Sequence, residues 1–306
     1  MELWVVLAII AAATYAFCIF VDNYVTDIFF KNRKAQAQKV FYGPLTLFIA
    51  ILIGVFGEIQ TIPVENMLWL LISGVISGAS LIPYVIALKR DESTNISLIE
   101  QLSPVFYLPL GWLMLGENIS AVQIVALFII LIAPMMIIFS ARKKGQKTKL
   151  TTAGLMLLKI IPHAIACVLV VKYGYDCSFV TMLFFVLLGR GIGDTVMTLV
   201  FKSWRKDFKK TIKRNGKKVY AVMTIDNLMW TVADFSYYAA LMFAPALAMA
   251  SGITKTLQPL LVFVFGIILT LLWPRFGREK LDRKTVMVHL VATIIAVLGI
   301  ILMQNC

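Results

Sequence analysis

The sequence predicts an all-α integral membrane protein, with ten transmembrane helices arranged as two inverted five-helix repeats. Three observations support this prediction: apolar runs long enough to span a bilayer, lysines and arginines concentrated in alternate loops, and a similar pattern in the two halves. The 306 residues are 60% hydrophobic and only 15% charged, with a mean hydropathy of +0.87. Soluble domains carry about 25% charged residues, so the composition excludes a soluble fold.

The apolar runs define the ten helices, because each approaches or exceeds the roughly 20 residues that cross the hydrocarbon core of a bilayer. Residues 1–145 form the first five-helix repeat and residues 146–306 the second, within a single integrated membrane domain. The predicted helices are Leu3–Val21, Val40–Phe56, Met67–Leu88, Ile96–Leu115, Ala121–Phe139, Thr152–Val171, Phe179–Phe201, Val219–Phe243, Leu247–Trp273 and Val286–Met303.

Lysine and arginine are unevenly distributed over the loops. The loops after the odd-numbered helices hold 25 of the 29, whereas the other loops and both termini hold one, Lys172. Cytoplasmic loops collect these residues. We therefore expect a multi-pass protein of the plasma membrane or a bacterial inner membrane, with both termini outside. The net charge of +13 then borders anionic lipid, so membrane lipids rather than nucleic acid are the expected partners of these loops. Monomer and homodimer both remain open.

The longest basic loop has a pattern of its own. Trp204, Phe208 and Ile212 recur every four residues among lysines. This spacing predicts an amphipathic helix that lies on the cytoplasmic leaflet with its apolar face toward lipid. A regulatory or partner-binding segment is the alternative interpretation.

The two halves share a short polar motif inside an apolar run. Residues 100–104 read Glu-Gln-Leu-Ser-Pro, and residues 255–259 read Lys-Thr-Leu-Gln-Pro. Each half then has a Gly followed closely by Glu, at Gly116 and at Gly277. Five helices per half is an odd number, so the halves are inverted, and such repeats place a binding site between them near the midplane. Pro104 and Pro259 remove helix hydrogen bonds and are predicted to let their helices bend.

On these residues the chain resembles the drug/metabolite transporter superfamily, in particular its EamA-type members with ten helices. The resemblance rests on Pro104, on Gly116-Glu117, and on Ser120, Gln123 and Arg190. It implies transport of a small molecule and no cofactor. The chain departs from the family in having Ala126 and Ala133 in place of Gly, and Thr14-Tyr15-Ala16 in place of Trp-Gly. Family members usually keep both termini in the cytoplasm, whereas the loop charges here favour the reverse.

Several ionisable and aromatic residues lie within the predicted helices, where charge is costly and marks functional sites. Counting from the cytoplasmic end predicts three layers: Lys159, Asp194 and Asp226 innermost, His163 and Arg190 near the midplane, and Asp234 and Lys255 outermost. The bases would hold a carboxylate or phosphate, the aspartates an amine or a coupling proton, and the aromatic residues a wall of the site. The candidate substrate-binding or coupling residues are Glu100, Lys159, His163, Arg190, Asp226, Trp230, Asp234, Tyr237 and Lys255.

A structural role competes with this interpretation. Arg190 and Asp194 are four residues apart and are predicted to pair on one helix; Asp234 and Lys255 are predicted to pair across two. Asp22 would lie at the membrane surface, and Glu117 and Glu279 would only end their helices. The Gly74-xxx-Gly78 spacing predicts close helix packing. The glycines around Arg190 lack a preceding strand and form no phosphate loop.

Near balance between buried acids and bases favours a zwitterionic solute such as an amino acid, moved by alternating access with proton coupling or exchange. Export of cationic drugs or amines, and transport of a phosphorylated or nucleotide-like anion, are the alternatives. A membrane component that transports nothing, such as a lipid-handling subunit or sensor, is a third hypothesis. No group of His, Cys or carboxylate residues has metal-ligand spacing, so neither a metal site nor an enzyme is predicted.

Overall fold

The computed structural model describes residues 2–91, 93–118 and 148–244, residues 247–272 and 283–304, and, between 119 and 147, residues 120–122, 124–126, 128, 129, 132 and 136. Within these residues the regular structure is helical and contains no strand. The helices are α1 Leu3–Tyr24, α2 Lys39–Phe56, α3 Val64–Leu88, α4 Ser93–Glu100, α5 Ser103–Leu115, α6 Thr148–Gly174, α7 Phe179–Val200, α8 Lys202–Asn215, α9 Lys218–Phe243, α10 Leu247–Leu272 and α11 Arg283–Gln304.

The prediction of an all-helical membrane protein is confirmed, while the count of ten spans and the inverted repeat stay predictions. Seven segments of the described chain are long and apolar enough to cross a bilayer: Leu3–Phe29, Ala35–Phe56, Val64–Leu88, Asn95–Leu115, Leu150–Gly174, Phe179–Val200 and Met249–Leu269. The helix α9, which carries Asp226 and Asp234, is not among them. Most of the predicted fifth helix, including Gln123 and Ala133, lies outside the described residues, as does Glu279.

Helices of the two halves interleave. The first helix, α1, packs between α9 and α10, whereas α3 packs against α6 and α7, and α7 also packs against α2. Because of this arrangement, any side chain that points inward from α1 or α3 meets side chains of the second half. The polar residues described below therefore come together from both halves.

The first helix is longer than predicted and continues past Val21 to Tyr24, followed by a π-helical turn over Val25–Phe29. A 3₁₀ turn over Ala35–Gln38 then leads directly into α2. As a result Asp22 and Lys39, expected at the membrane surface and in a loop, are both buried. Those two expectations were wrong because hydropathy ends a helix at the first polar residue, whereas packing against neighbouring helices extended it.

Glycines let the backbones of α2, α3 and α7 pack directly against one another. A Cβ added to Gly74 of α3 would lie 2.1 Å from the carbonyl oxygen of Val186 in α7. A Cβ on Gly189 of α7 would lie 2.0 Å from the carbonyl oxygen of Leu71 in α3, and one on Gly191 would lie 2.7 Å from the backbone nitrogen of Leu47 in α2. The close packing predicted from Gly74-xxx-Gly78 is confirmed, and the glycines around Arg190 serve the same purpose.

We expect Gly189→Ala to lower stability by about 1–3 kcal/mol, because the new methyl meets backbone that cannot rotate away. Gly154→Ala is the matched control: this glycine lies in α6, and an added Cβ would have nothing within 4 Å. Alanine there should be neutral or favourable by about 0.5–1 kcal/mol from helix propensity. Thermal unfolding of the two variants in detergent measures the difference, and equal midpoints would contradict the packing argument.

The predicted fourth helix is interrupted. The helix α4 ends at Glu100, Gln101 and Leu102 form a turn, and α5 begins at Ser103. Pro104 has no N–H for the carbonyl of Glu100, and the hydroxyl of Ser103 donates to that oxygen instead, at 2.7 Å. By contrast, α10 runs without interruption through Pro259. The related prolines therefore have different local structures.

The basic helix α8 packs on protein through its apolar face. Trp204 and Phe208 are buried in a cluster with Val25, Phe29 and Met223. The expectation that this face meets lipid was wrong, because the extended end of α1 and the start of α2 supply a protein surface for it. Contact between the opposite, lysine-rich face and lipid stays a prediction.

Glu117 does more than end its helix. Its Oε1 accepts a hydrogen bond of 2.9 Å from the backbone N–H of Leu247, the first residue of α10. The first N–H groups of a helix have no partner within that helix, so the carboxylate stabilises α10 from the other half of the chain. Burial raises the pKa of Glu117.

Candidate functional site

In the described part of the helical bundle, ten Asp, Glu, Lys, Arg and His side chains are buried. They come from α1, α2, α4, α6, α7, α9 and α10; nine of them form three groups, and His163 lies beside the first group. The residues are Asp22, Lys39, Glu100, Lys159, His163, Arg190, Asp194, Asp226, Asp234 and Lys255. All the ionisable residues predicted for the site are among them, and the predicted aromatic residues Trp230 and Tyr237 contact Tyr15.

The first group, named the basic cluster here, contains Glu100, Lys159 and Lys255. Both lysine ammonium groups donate to the same carboxylate oxygen, Oε1 of Glu100, and for Lys255 the distance is 2.9 Å. Lys255 also lies over the rings of Tyr15 and Tyr237, with its nitrogen 4.9 and 5.3 Å from their centroids. Two cations share one anion, so the basic cluster has a surplus of positive charge.

The predicted pairing of Lys255 with Asp234, and the separation of Lys159 from Lys255 into different layers, were wrong. An estimate of depth that counts residues from the helix ends assumes that every helix is straight and that every charged group lies at the depth of its own Cα. In the structure α4 stops at Glu100, and the flexible lysine stems reach along the helices to it. Two lysines assigned to different depths therefore meet at one carboxylate.

His163 lies one turn beyond Lys159 on α6. Its Nε2 is 3.7 Å from the sulfur of Cys167, and among the described residues its Nδ1 has no hydrogen-bond partner. Nearby, the hydroxyl of Tyr237 donates to that of Tyr107 at 3.0 Å. An imidazole nitrogen that has no hydrogen-bond partner among the described residues therefore lies near the basic cluster.

The second group consists of two ion pairs that balance their own charge. Arg190 pairs with Asp234, whose other oxygen accepts from the Tyr15 hydroxyl at 2.6 Å. Lys39 pairs with Asp194 at 2.6 Å and also donates to the carbonyl of Gly78 at 2.8 Å. The predicted Arg190–Asp194 pair was therefore wrong: the two share a helix face, but α9 brings Asp234 to the arginine and α2 brings Lys39 to the aspartate.

The third group, named the acidic pair here, consists of Asp22 and Asp226. The two side chains lie within hydrogen-bonding reach of each other. Oδ2 of Asp22 accepts from the hydroxyl of Tyr84 at 3.0 Å and from the indole N–H of Trp230 at 3.1 Å. Oδ2 of Asp226 accepts from the hydroxyl of Tyr42. Within the described chain neither carboxyl forms a salt bridge, so the acidic pair has a surplus of negative charge.

Aromatic rings connect the basic cluster to the acidic pair. The Tyr15 ring, which faces Lys255, has its centroid 5.3 Å from that of Trp230 and 5.9 Å from that of Tyr237. Trp230 in turn packs edge-on against Tyr84, at 6.0 Å. A continuous aromatic surface therefore separates the two regions of opposite charge.

A narrow cavity adjoins the acidic pair. Its lining comes from the last part of α1, the residues at the start of α2, the last part of α3, the second half of α7 and the first half of α9. Each of these segments lies next to a basic loop. The lining residues are Asp22, Gln38, Lys39, Tyr42, Leu81, Tyr84, Val85, Arg190, Asp194, Asn227 and Trp230. The cavity therefore lies toward the end of the bundle that carries the lysines and arginines.

The sequence analysis missed Tyr15, Asp22, Lys39, Tyr42 and Tyr84 as site residues. A signal existed for two of them: Tyr15 and Asp22 are seven residues apart and so share one face of α1. For the tyrosines of α2 and α3, an aromatic residue in an apolar helix gave no sign that its hydroxyl would meet a carboxylate.

Comparisons with known proteins agree with the fold and the class. Residues 2–139 match the model of the family described as "EamA-like transporter family", so the predicted resemblance is confirmed. A solved structure titled "Crystal structure of protein" superposes with a TM-score of 0.60 at 12% identity, covering 95% of this chain and 95% of its own. That likeness concerns the fold alone. A comparison with curated proteins finds no match.

Proposed function

Because residues 2–139 match the model of the EamA-like transporter family, we propose that this chain is a transporter of that kind and moves a small zwitterionic metabolite of the amino-acid class. Transport proceeds by alternating access, between the two halves of a multi-pass membrane protein. The loop charges favour an orientation with both termini outside.

The choice of substrate rests on one observation: two regions with opposite surplus charge are connected through the rings of Tyr15 and Trp230. The basic cluster has two lysines for one glutamate, whereas the acidic pair has two carboxyls and no salt bridge among the described residues. A substrate carboxylate would bind at the basic cluster and its ammonium group at the acidic pair. The aromatic surface between them would contact the substrate's carbon atoms and, through its π faces, the ammonium group.

The remaining buried charges support this division of roles. Arg190–Asp234 and Lys39–Asp194 each neutralise themselves, so neither pair needs a ligand. They fix the helices around the site instead. The turn at Gln101 and Leu102 adjoins Glu100, and an interrupted helix beside a charged cluster can bend without losing further hydrogen bonds. We propose this turn as the point at which substrate binding is linked to helix movement.

Uptake into proteoliposomes tests the proposal. The panel pairs amino acids with amines of the same carbon skeleton that lack the carboxylate, and adds carboxylic acids and organic phosphates. We expect uptake of zwitterions above that of empty liposomes, with the corresponding amines and acids transported less well. Absence of uptake for every polar solute, by protein that is folded, would refute the transport proposal.

The variant Lys159→Met tests the surplus positive charge of the basic cluster most directly. It leaves Glu100 with Lys255, a balanced pair, so the fold should remain stable. It removes the surplus positive charge, and loss of one charge-assisted contact is worth about 1.5–3 kcal/mol, so we expect zwitterion affinity to fall about tenfold or more. Lys172→Met is the matched control, since Lys172 lies on the same helix but is exposed, with its ammonium group over the ring of Tyr173.

Transport of a cationic amine is the second candidate, favoured by the acidic Asp22 and the aromatic Tyr84 and Trp230 that line the cavity. Such a substrate would not need the basic cluster. If amines are taken up as well as amino acids and Lys159→Met has no effect on either, the amine interpretation replaces the zwitterion.

A further inference from the structure

Of the five acids that are buried in the described residues, two form no salt bridge there. Glu100, Asp194 and Asp234 each form a salt bridge with a lysine or arginine. Asp22 and Asp226 form none within the described chain, and they are within hydrogen-bonding reach of each other. Both are almost completely buried, with 2% and 0% of their surface exposed.

The groups around this pair are neutral donors. Tyr84 of α3 and Trp230 of α9 donate to Asp22, and Tyr42 of α2 donates to Asp226. The thiol of Cys18 lies on the same helix as Asp22 and interacts electrostatically with both carboxyls. Arg190 of α7 interacts electrostatically with both carboxyls, and Lys39 of α2 does so with Asp22, but each already binds another aspartate.

One carboxylate oxygen of the acidic pair lacks a hydrogen-bond donor among the described residues. Oδ1 of Asp226 is buried and, within the part of the chain that the structure describes, meets no N–H or O–H donor. Two carboxylates in contact repel strongly in a low-dielectric interior, and the known solution is for the two to share one proton. A proton on either carboxyl supplies the missing donor and removes one of the two negative charges.

We propose that Asp22 and Asp226 form a proton-binding site that holds one proton between the two carboxyls. The proton moves between this pair and water in the adjoining cavity, with no other bond made or broken. Its role in transport rests on the proposed function: the substrate's ammonium group and the proton would compete for the same two carboxyls, which couples their movements.

Independent support for access comes from the cavity beside the pair. Asp22 lines it together with Gln38 and Asn227, and the side-chain oxygens of both amides are buried and have no donor among the described residues. Unsatisfied polar atoms around a narrow space are the setting in which a buried water is held. Such water gives the proton a route toward the basic end of the bundle.

A sodium ion is the competing occupant, since carboxylates and amide oxygens are also cation ligands. The direct approach of the two carboxyls favours the proton, because a metal ion would separate them.

Infrared spectroscopy of the detergent-solubilised full chain tests the site without any substrate. At neutral pH the wild-type protein should show the C=O absorption of a protonated carboxyl, which shifts on deuteration. Asp22→Asn and Asp226→Asn should each abolish it, because the amide NH₂ takes over the role of the proton. Asp226→Glu should retain it at a changed frequency, which guards against loss through misfolding.

Two controls identify the source of the absorption. Asp176→Asn removes an exposed acid and should leave the absorption intact. Burial raises the pKa of Glu117, so Glu117→Gln identifies any contribution from that carboxyl. No protonated carboxyl in the wild type, persistence in both asparagine variants, or loss on adding sodium chloride at constant pH would each overturn the proposal.

The outcome is separate from that of the uptake assay. A carboxyl absorption with no transport of any solute would leave the proton site standing and refute the proposed function. Transport of zwitterions by a protein without the absorption would do the reverse.

Discussion

Glu100→Gln is expected to destabilise the protein by about 3–5 kcal/mol, because it removes one partner of a buried ion network and leaves two lysines without an anion. Both ammonium groups of Lys159 and Lys255 are directed at a single oxygen of Glu100. Glutamine preserves the shape and one acceptor but none of the charge. Denaturant or thermal unfolding of the detergent-solubilised protein measures the loss.

Glu58→Gln is the control for this change, since Glu58 is exposed and surface substitutions usually stay within about 0.5 kcal/mol. Lys159→Met provides a second comparison, because it leaves one lysine facing one glutamate. We expect stability in the order wild type and Glu58→Gln, then Lys159→Met, then Glu100→Gln. Equal stability of the Glu100 and Glu58 variants would show that the lysines do not depend on this carboxylate.

Arg190→Met is expected to have an effect of the same size, about 3–5 kcal/mol, because it leaves Asp234 as a buried carboxylate without its salt bridge, held by the hydroxyl of Tyr15. Adding Asp234→Asn to Arg190→Met removes that uncompensated charge and should restore most of the stability. The double-mutant cycle from unfolding measurements gives the coupling between the two residues.

The same cycle distinguishes the two possible partners of the arginine. Asp194, one helical turn away, forms its salt bridge with Lys39. Combining Arg190→Met with Asp194→Asn should therefore bring no rescue and should add a further loss, because Lys39 then lacks its anion. Rescue by Asp194→Asn rather than by Asp234→Asn would restore the pairing expected from the i,i+4 spacing.

The helical membrane fold and most of the buried ionisable residues could be predicted from the sequence, because both depend on the composition of single segments. A charge such as Asp226 or Lys255 inside an apolar run is visible without knowing any neighbour. The spacing of Gly74 and Gly78 similarly predicts a close helix contact, whichever helix is the partner. These predictions need only the composition of one segment and the cost of polar groups in a bilayer.

The pairing of those residues could not be predicted, because it depends on which helices are adjacent. The spacing of Arg190 and Asp194 fixes a shared face but not the helix that this face meets. Asp22 and Lys39 were missed for a related reason: both follow the last or precede the first apolar residue of a run, and only packing decides whether the helix continues through them. Their burial is a tertiary effect.

The glycine contacts of α7 have a mechanical consequence. Since the backbone of α7 touches that of α2 at Gly191 and that of α3 at Gly74 and Gly189, these three helices can slide past one another only by losing that fit. They form one closely fitted unit. The bonds from Arg190 to Asp234, from Tyr84 to Asp22 and from Tyr42 to Asp226 all run from this three-helix unit to α1 or α9. Any displacement of α1 or α9 relative to the unit therefore requires these bonds to break.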